Sequence, residues 1–169
     1  VKEETKELPI DLAIIKNFLK VDFDEDDELI TKMLKTAINQ CETYISKTLI
    51  EKTYIYSLYN LKNLYILLPF SPIKEIISIT VNKIDGNKEI LNTDFYILDD
   101  IGSIIKFKNK IENFYRLDIE YKAGSSNIND DLVQAILMHI ARMYEDRSGY
   151  SPMPTNSINI YRKYKQIKL

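Results

Sequence analysis

The chain of 169 residues has no tryptophan, one cysteine, one histidine, four glycines and five prolines, and each scarcity closes a line of interpretation. A lone cysteine, Cys41, excludes an internal disulfide framework and fits a reducing compartment. A lone histidine, His139, excludes a histidine-rich metal site and leaves a Ser-His-Asp arrangement a single candidate base. Gly86, Gly102, Gly124 and Gly149 fit the spacing of neither a dinucleotide fingerprint nor a phosphate-binding loop. No apolar run reaches the roughly 18 residues that a membrane span needs. The stretch Val1–Glu7 is charged and polar with no apolar segment behind it, so no secretory signal is expected. A formal charge of −2 and a pI near 5.6 argue against a protein whose main task is to grip phosphate backbone.

What is present is 45% hydrophobic content, enough for one well-packed domain. Pro9 and Asp11 open a short helical pattern in which Leu12, Ile15, Phe18 and Leu19 share a face. An acidic turn, Asp22–Glu28, leads into a longer helix predicted to run to about Thr48. There Leu29, Ile30, Met33, Leu34, Ala37, Ile38, Cys41, Tyr44 and Ile45 keep the helical period.

From residue 51 to 123 the period changes to two or to short apolar runs. Thr53–Tyr59, Leu64–Leu68, Ile76–Ile84, Phe95–Leu98, Ile104–Phe107 and Leu117–Tyr121 read as strands. Asp85-Gly86-Asn87 reads as a hairpin turn and Asp99–Gly102 as a second. Pro69 and Pro72 bracket a kink that would not suit a central ladder. The expectation is a small antiparallel sheet of hairpins inserted between helices.

The stretch from Tyr121 to Tyr150 then combines a strand end, a glycine turn and an amphipathic helix. Leu132, Val133, Ile136, Leu137, Ile140, Ala141 and Tyr144 form its apolar face. Asn129 or Asp130 is expected to cap it, Asp131 to complement its dipole, and Gly149 to stop it. The fold class is therefore α+β. A helical bundle carries a β insertion at about 51–123, one domain covers 1–150, and residues 151–169 form a C-terminal docking tail.

Candidate chemistry is sparse. The run from Asp22 to Glu28 opens like a calcium loop, but Asp27 stands where such a loop needs glycine and Met33 where it needs a bidentate glutamate. Its carboxylates suit the positive end of a helix instead. His139 sits at the edge of an apolar face and reads as a partly buried structural residue, and Cys41 as a small core residue. No catalytic residue, metal ligand or cofactor is assigned. In the tail, Arg162, Lys163, Lys165 and Lys168 interleave with Tyr161 and Tyr164. Such a weave can stack and neutralise single-stranded nucleic acid. It equally suits an amphipathic segment docking on protein with its lysines snorkelling outward, the preferred reading for an acidic chain.

Three blocks together carry a family resemblance. They are IDLAIIKNFLKVDFDEDDELITKMLKTAINQCETYISKTLI (10–50), LYILLPFSPIKEIISITV (64–81) and IEYKAGSSNINDDLVQAILMHIARMYEDRSG (119–149). In this order they resemble the head–tail connector (adaptor) proteins of tailed bacteriophages and gene-transfer-agent particles. These share a short helix, an acidic turn and a long helix, then a strand pair around Pro-x-x-Pro, then Tyr-x-Ala-Gly before a helix ending Tyr-Glu-x-Arg. Relative to the shortest members, Ile84–Glu112 looks expanded.

The resemblance implies a structural, non-enzymatic virion protein of the neck. It would be a homo-oligomeric ring, dodecameric by the family, beneath the portal. Such a ring extends the DNA channel, which DNA traverses without specific binding, and presents a platform to a stopper or tail-completion protein. The residues expected to dock on the portal are Ile158, Ile160, Tyr161, Arg162, Lys163, Tyr164, Ile167 and Leu169, on a tail reaching away from its own domain. The alternative is a nucleic-acid-binding module built on the basic-aromatic tail.

Overall fold

The computed structural model describes residues 3–4, 9–99, 103–124, 128–146 and 152–165. The fold is α+β, and the chain divides into two compact units. One is built from Val1–Lys6 with Ile50–Ser125, the other from Glu7–Leu49 with Ser126–Leu169.

The helical unit contains α1 (Leu12–Leu19), α2 (Asp27–Ile45), α3 (Asp130–Glu145) and α4 (Thr155–Tyr164). Asp11 caps α1, its carboxylate accepting the Ala13 amide at 2.9 Å. Of the face expected on this helix, Ile15 is buried and Phe18 is exposed. The stripe on α2 is borne out, with Ile30, Leu34, Ala37, Ile38, Cys41 and Ile45 buried. On α3, Leu132, Ala135, Ile136, Leu137 and Ile140 are buried in turn. These two helices pack together, and α4 packs on both.

Two boundaries differ from expectation. The long helix stops at Ile45, short of Thr48, because Ser46 turns left-handed with φ 56°. Glu42 secures this exit: its backbone oxygen accepts the Ser46 and Lys47 amides, and its buried carboxylate accepts the Leu49 amide at 2.7 Å. The third helix ends at Glu145, and Gly149, its expected stop, lies outside the described residues.

The β unit holds two sheets where one sheet of hairpins was expected. Its strands are β1 (Glu3–Glu4), β2 (Lys52–Leu58), β3 (Tyr65–Leu67), β4 (Ile73–Lys83), β5 (Lys88–Ile90), β6 (Tyr96–Leu98), β7 (Ile104–Phe107) and β8 (Phe114–Ala123). The larger sheet has the order β1-β2-β8-β4-β5 and the smaller β3-β7-β6. The centre of the larger sheet is the last strand, β8, antiparallel to β2 from Lys52↔Ala123 to Leu58↔Leu117 and to β4 on its other side. Only strands adjacent in sequence announce themselves as hairpins, so these distant pairings had no local signal.

The expected turns hold where they are described. Asp85-Gly86-Asn87 joins β4 to β5, with Gly86 at φ 89° and the Asp85 carboxylate accepting the Asn87 amide at 3.0 Å. β6 and β7 pair antiparallel, and the Asp99 carboxylate takes the Ser103 and Ile104 amides at 2.7 and 2.8 Å. Positions 100–102 of that turn lie outside the described residues.

The two sheets share one apolar cluster. Tyr54, Ile79, Val81, Leu117, Ile119 and Tyr121 come from the larger sheet, and Ile66, Ile105 and Phe107 from the smaller. Tyr121 keeps its hydroxyl satisfied there by donating to the Pro69 carbonyl at 2.6 Å. Gly124 follows β8 at φ 119°, and a Cβ there would sit 2.6 Å from the Ile50 carbonyl oxygen.

Ile136→Ala should cost about 2–5 kcal/mol, as large-to-small changes at fully buried positions do. A denaturant midpoint equal to that of the parent would show that this face is not core. Gly124→Ala should destabilise the β unit by at least about 1 kcal/mol, because strain and close approach to backbone act together. Limited proteolysis with cleavage mapped to 50–124 reads this directly, and unchanged resistance would contradict it.

Candidate docking site

The expected docking residues lie on α4 or just beyond it. Pro152 and Pro154 precede this helix, and Pro154 occupies its N-cap, so α4 starts afresh and does not continue α3. Its sequence then decides how it sits. Ser157 and Tyr161, one turn apart, are fully buried, and the Ser157 hydroxyl donates to the Ala135 carbonyl of α3 at 2.8 Å. Ile158, Ile160 and Tyr164 are half-buried, whereas Arg162 and Lys163 are exposed. Ile167 and Leu169 lie outside the described residues.

The expectation of a tail reaching away from its own domain is thereby corrected for Ser157 and Tyr161. The apolar face that suggested an external partner already has one, formed by α2 and α3. Burying an aromatic ring at home yields the same apolar gain as burying it on a partner, without the entropic cost of association.

Tyr164 closes this arrangement. Its hydroxyl donates to the Asp131 carboxylate and accepts from the Asn129 amide at 3.2 Å. The bond to Asp131 also raises the phenol above its ordinary pKa. Asn129 thus spends its side chain on the tyrosine and makes no capping bond at the start of α3, contrary to expectation. The Lys165 ammonium lies 5.1 Å from the centre of the Tyr44 ring, also within the helical unit. The nucleic-acid alternative loses its stacking platform here, since one tail tyrosine is buried and the other is held by carboxylate and amide.

Beneath α4 lies a buried polar cluster. The Tyr161 ring centre is 6.4 Å from that of Tyr44 and 6.5 Å from that of His139. His139 was expected at the edge of the face and only partly buried. It is fully buried, because Tyr161 comes in from α4 on that side. Neither ring nitrogen has a hydrogen-bond partner, and desolvation lowers its pKa. Burial pushes the Cys41 thiol up to about 12, which removes thiolate reactivity. Proximity here yields no nucleophile–base pair.

Three carboxylates of the acidic turn, Asp24, Asp26 and Asp27, are engaged inside the helical unit. Lys16 pairs with Asp24 at 2.6 Å and Asp27 at 2.8 Å, and Tyr144 donates to Asp26 at 2.6 Å. Asp27 and Glu28 also occupy the first turn of α2. No group of three or more His, Cys, Asp or Glu among the described residues is arranged to hold a metal ion.

A polar network on the larger sheet escaped the sequence reading. Ser57 and Asn82 donate to Asp118 at 2.5 and 2.9 Å, and Arg116 does so at 3.0 Å. They line an open concavity of about 670 Å³. Burial alone would raise the Asp118 pKa, but these bonds and the Arg116 charge outweigh it and hold the carboxyl below its ordinary value. An anion this well satisfied is a poor base. The alternation Arg116, Asp118, Glu120 was its visible trace, although the partners come from strands about 35 and 60 residues upstream.

Residues 10–151 match the model of a family described as head completion protein. No curated protein matches the chain. Solved structures with the same fold include a chain from the neck of an empty gene transfer agent particle, computed with C6 symmetry. It is 18% identical with a TM-score of 0.79, covering 99% of this chain and 96% of that one. A chain from the virion of a native gene transfer agent particle is 19% identical with a TM-score of 0.80, covering 99% and 96%. A third, from the neck of the native particle computed with C12 symmetry, is 19% identical with a TM-score of 0.78, covering 100% and 97%.

The buried His139 has a measurable consequence. Burial lowers the pKa of its imidazole in the fold, while the unfolded chain takes up a proton below about 6.5. Stability should be unaffected by this group above pH 6.5 and fall as pH drops from there towards the folded value. The loss is at most about 1.4 kcal/mol per pH unit. Urea midpoints at several pH values between 5 and 7.5 should show a shallower acid slope in His139→Leu than in the parent. Parallel profiles would mean that the histidine titrates in the folded protein.

Proposed function

Since the chain belongs to the head completion protein family, we propose that it is a structural, non-enzymatic protein of the virion neck that joins head to tail. The match over residues 10–151 carries this reading. Beyond it, the protein assembles as a homo-oligomeric ring beneath the portal, extends the DNA channel and offers a platform to a stopper or tail-completion protein. The gene transfer agent necks of the same fold, computed with C6 and C12 symmetry, support a ring. A ring closes through heterologous contacts, in which one patch of each copy meets a different patch on the next. The chain's net negative charge suits a passage for DNA, since a basic lumen would retain the polymer.

The portal-docking role falls to the outward side of α4. With Ser157 and Tyr161 committed to the core, the side chains left for a partner are the exposed Arg162 and Lys163 and the half-buried Ile158, Ile160 and Tyr164. Ile167 and Leu169 continue the same apolar-basic pattern in sequence. Two cations at the rim of such a contact tune encounter with portal carboxylates more than they add affinity.

Purified protein mixed with its cognate portal should form a ring-on-ring complex, visible by electron microscopy and weighable by native mass spectrometry. Persistent absence of any such complex would count against the neck assignment. Arg162→Glu combined with Lys163→Glu should slow association with the portal by about ten-fold or more at low salt while leaving the melting temperature unchanged. Unaltered association would move the portal contact off α4.

A further inference from the structure

We infer that the outer face of the three-stranded sheet is one half of the contact between neighbouring copies of this chain, and that the other half is the α1 face with the acidic turn after it. The inference deepens the ring reading and rests on it. Across this sheet, Lys106 on β7 stands between Tyr65 of β3 on one side and Ile97 of β6 on the other, and Leu67 pairs with Ile104 one step along. Tyr65, Ile97 and Leu67 are 55%, 56% and 37% exposed. The alternate residues Ile66, Ile105 and Phe107 fill the core, so the period-two pattern offers apolar side chains to both faces. A sheet face packed on only one side has its outer positions polar in the usual case. Here one lysine is ringed by apolar side chains, and it has no ion pair among the described residues.

The matching patch has the opposite charge. On α1, Ile14 and Phe18 are one turn apart and exposed, and Phe23 follows at 49% exposure. Exposed Asp22 and Glu25 flank Phe23, and neither has an ion pair among the described residues, whereas Asp24 is already held by Lys16. One patch is therefore apolar around a cation and the other apolar beside anions. Each is charge-repelled by its own kind, so like patches do not pair and each favours the other patch on a neighbouring copy. Contact between unlike patches is the form a closed ring requires.

The test is a charge exchange, read by native mass spectrometry and electron microscopy of the full-length protein with and without its cognate portal. Lys106→Glu alone, and Asp22→Lys with Glu25→Lys, should each weaken self-assembly at least ten-fold. All three changes in one chain should restore it, because the pair is reversed at every contact. The sites are exposed, so melting temperatures should match the parent. If a charge variant melts lower, Ile97→Asp and Phe23→Asp carry the same expectation of lost assembly. Assembly indifferent to these changes, or a triple variant no better than the single reversals, would overturn this pairing alone. A parent that never self-assembles would overturn the pairing and the ring reading together.

Discussion

The alternation of side chains along β8 is the constraint on which the β unit depends. Leu117, Ile119, Tyr121 and Ala123 point to the core, and Arg116, Asp118, Glu120 and Lys122 to the other face. The strand lies between β2 and β4, so a register slip of one residue would expose the core set and bury four charged side chains. Asp118 adds a polar lock to that register, receiving Ser57 from one neighbouring strand and Asn82 from the other. Gly124, where no Cβ fits beside Ile50, ends the strand tightly against the start of the same unit.

The helical unit depends on a different economy. Its core is mostly apolar, and its least satisfied polar site is where α4 lays Tyr161 beside His139. The two unpartnered imidazole nitrogens make this a costly arrangement, since each buried polar group without a hydrogen bond opposes folding. The Ser157 bond to Ala135 and the Tyr164 bonds to Asp131 and Asn129 offset it from either end of α4. This division of labour bears on the proposed function. The inner side of α4 stabilises the subunit, and only the outer side remains to meet a portal.

The segment Ile84–Glu112 takes on meaning in the same way. It supplies β5, β6 and β7, and so most of the smaller sheet. Together with β3, the strands β6 and β7 seal one side of the apolar cluster, with Tyr65 and Leu67 of β3 and Ile97 of β6 exposed on the outer face. A sheet that only closed a core would have no reason to carry such an apolar outer face. The proposed contact between copies gives it one.

Much of this was legible in the residues themselves. Apolar spacing on α2 and α3, the turn at Gly86 and the period change near residue 51 each reflect interactions between near neighbours, which sequence spacing reports directly. Even the errors at that level were small, as when Ser46 and Glu42 ended α2 three residues early. Legibility failed where the partner is distant. Nothing local in 114–123 announces that this strand would occupy the centre of the sheet, or that a second sheet would fold over its inner side. The tail shows the same limit most sharply. Its apolar content was plain from Ile158, Tyr161 and Tyr164, but apolar side chains in a tail state only that something must cover them. Which surface does so is a contest between the chain's own helices and an external partner. Apolar content determined that these side chains would seek cover, and the tertiary structure alone decided that Tyr161 would be buried at home.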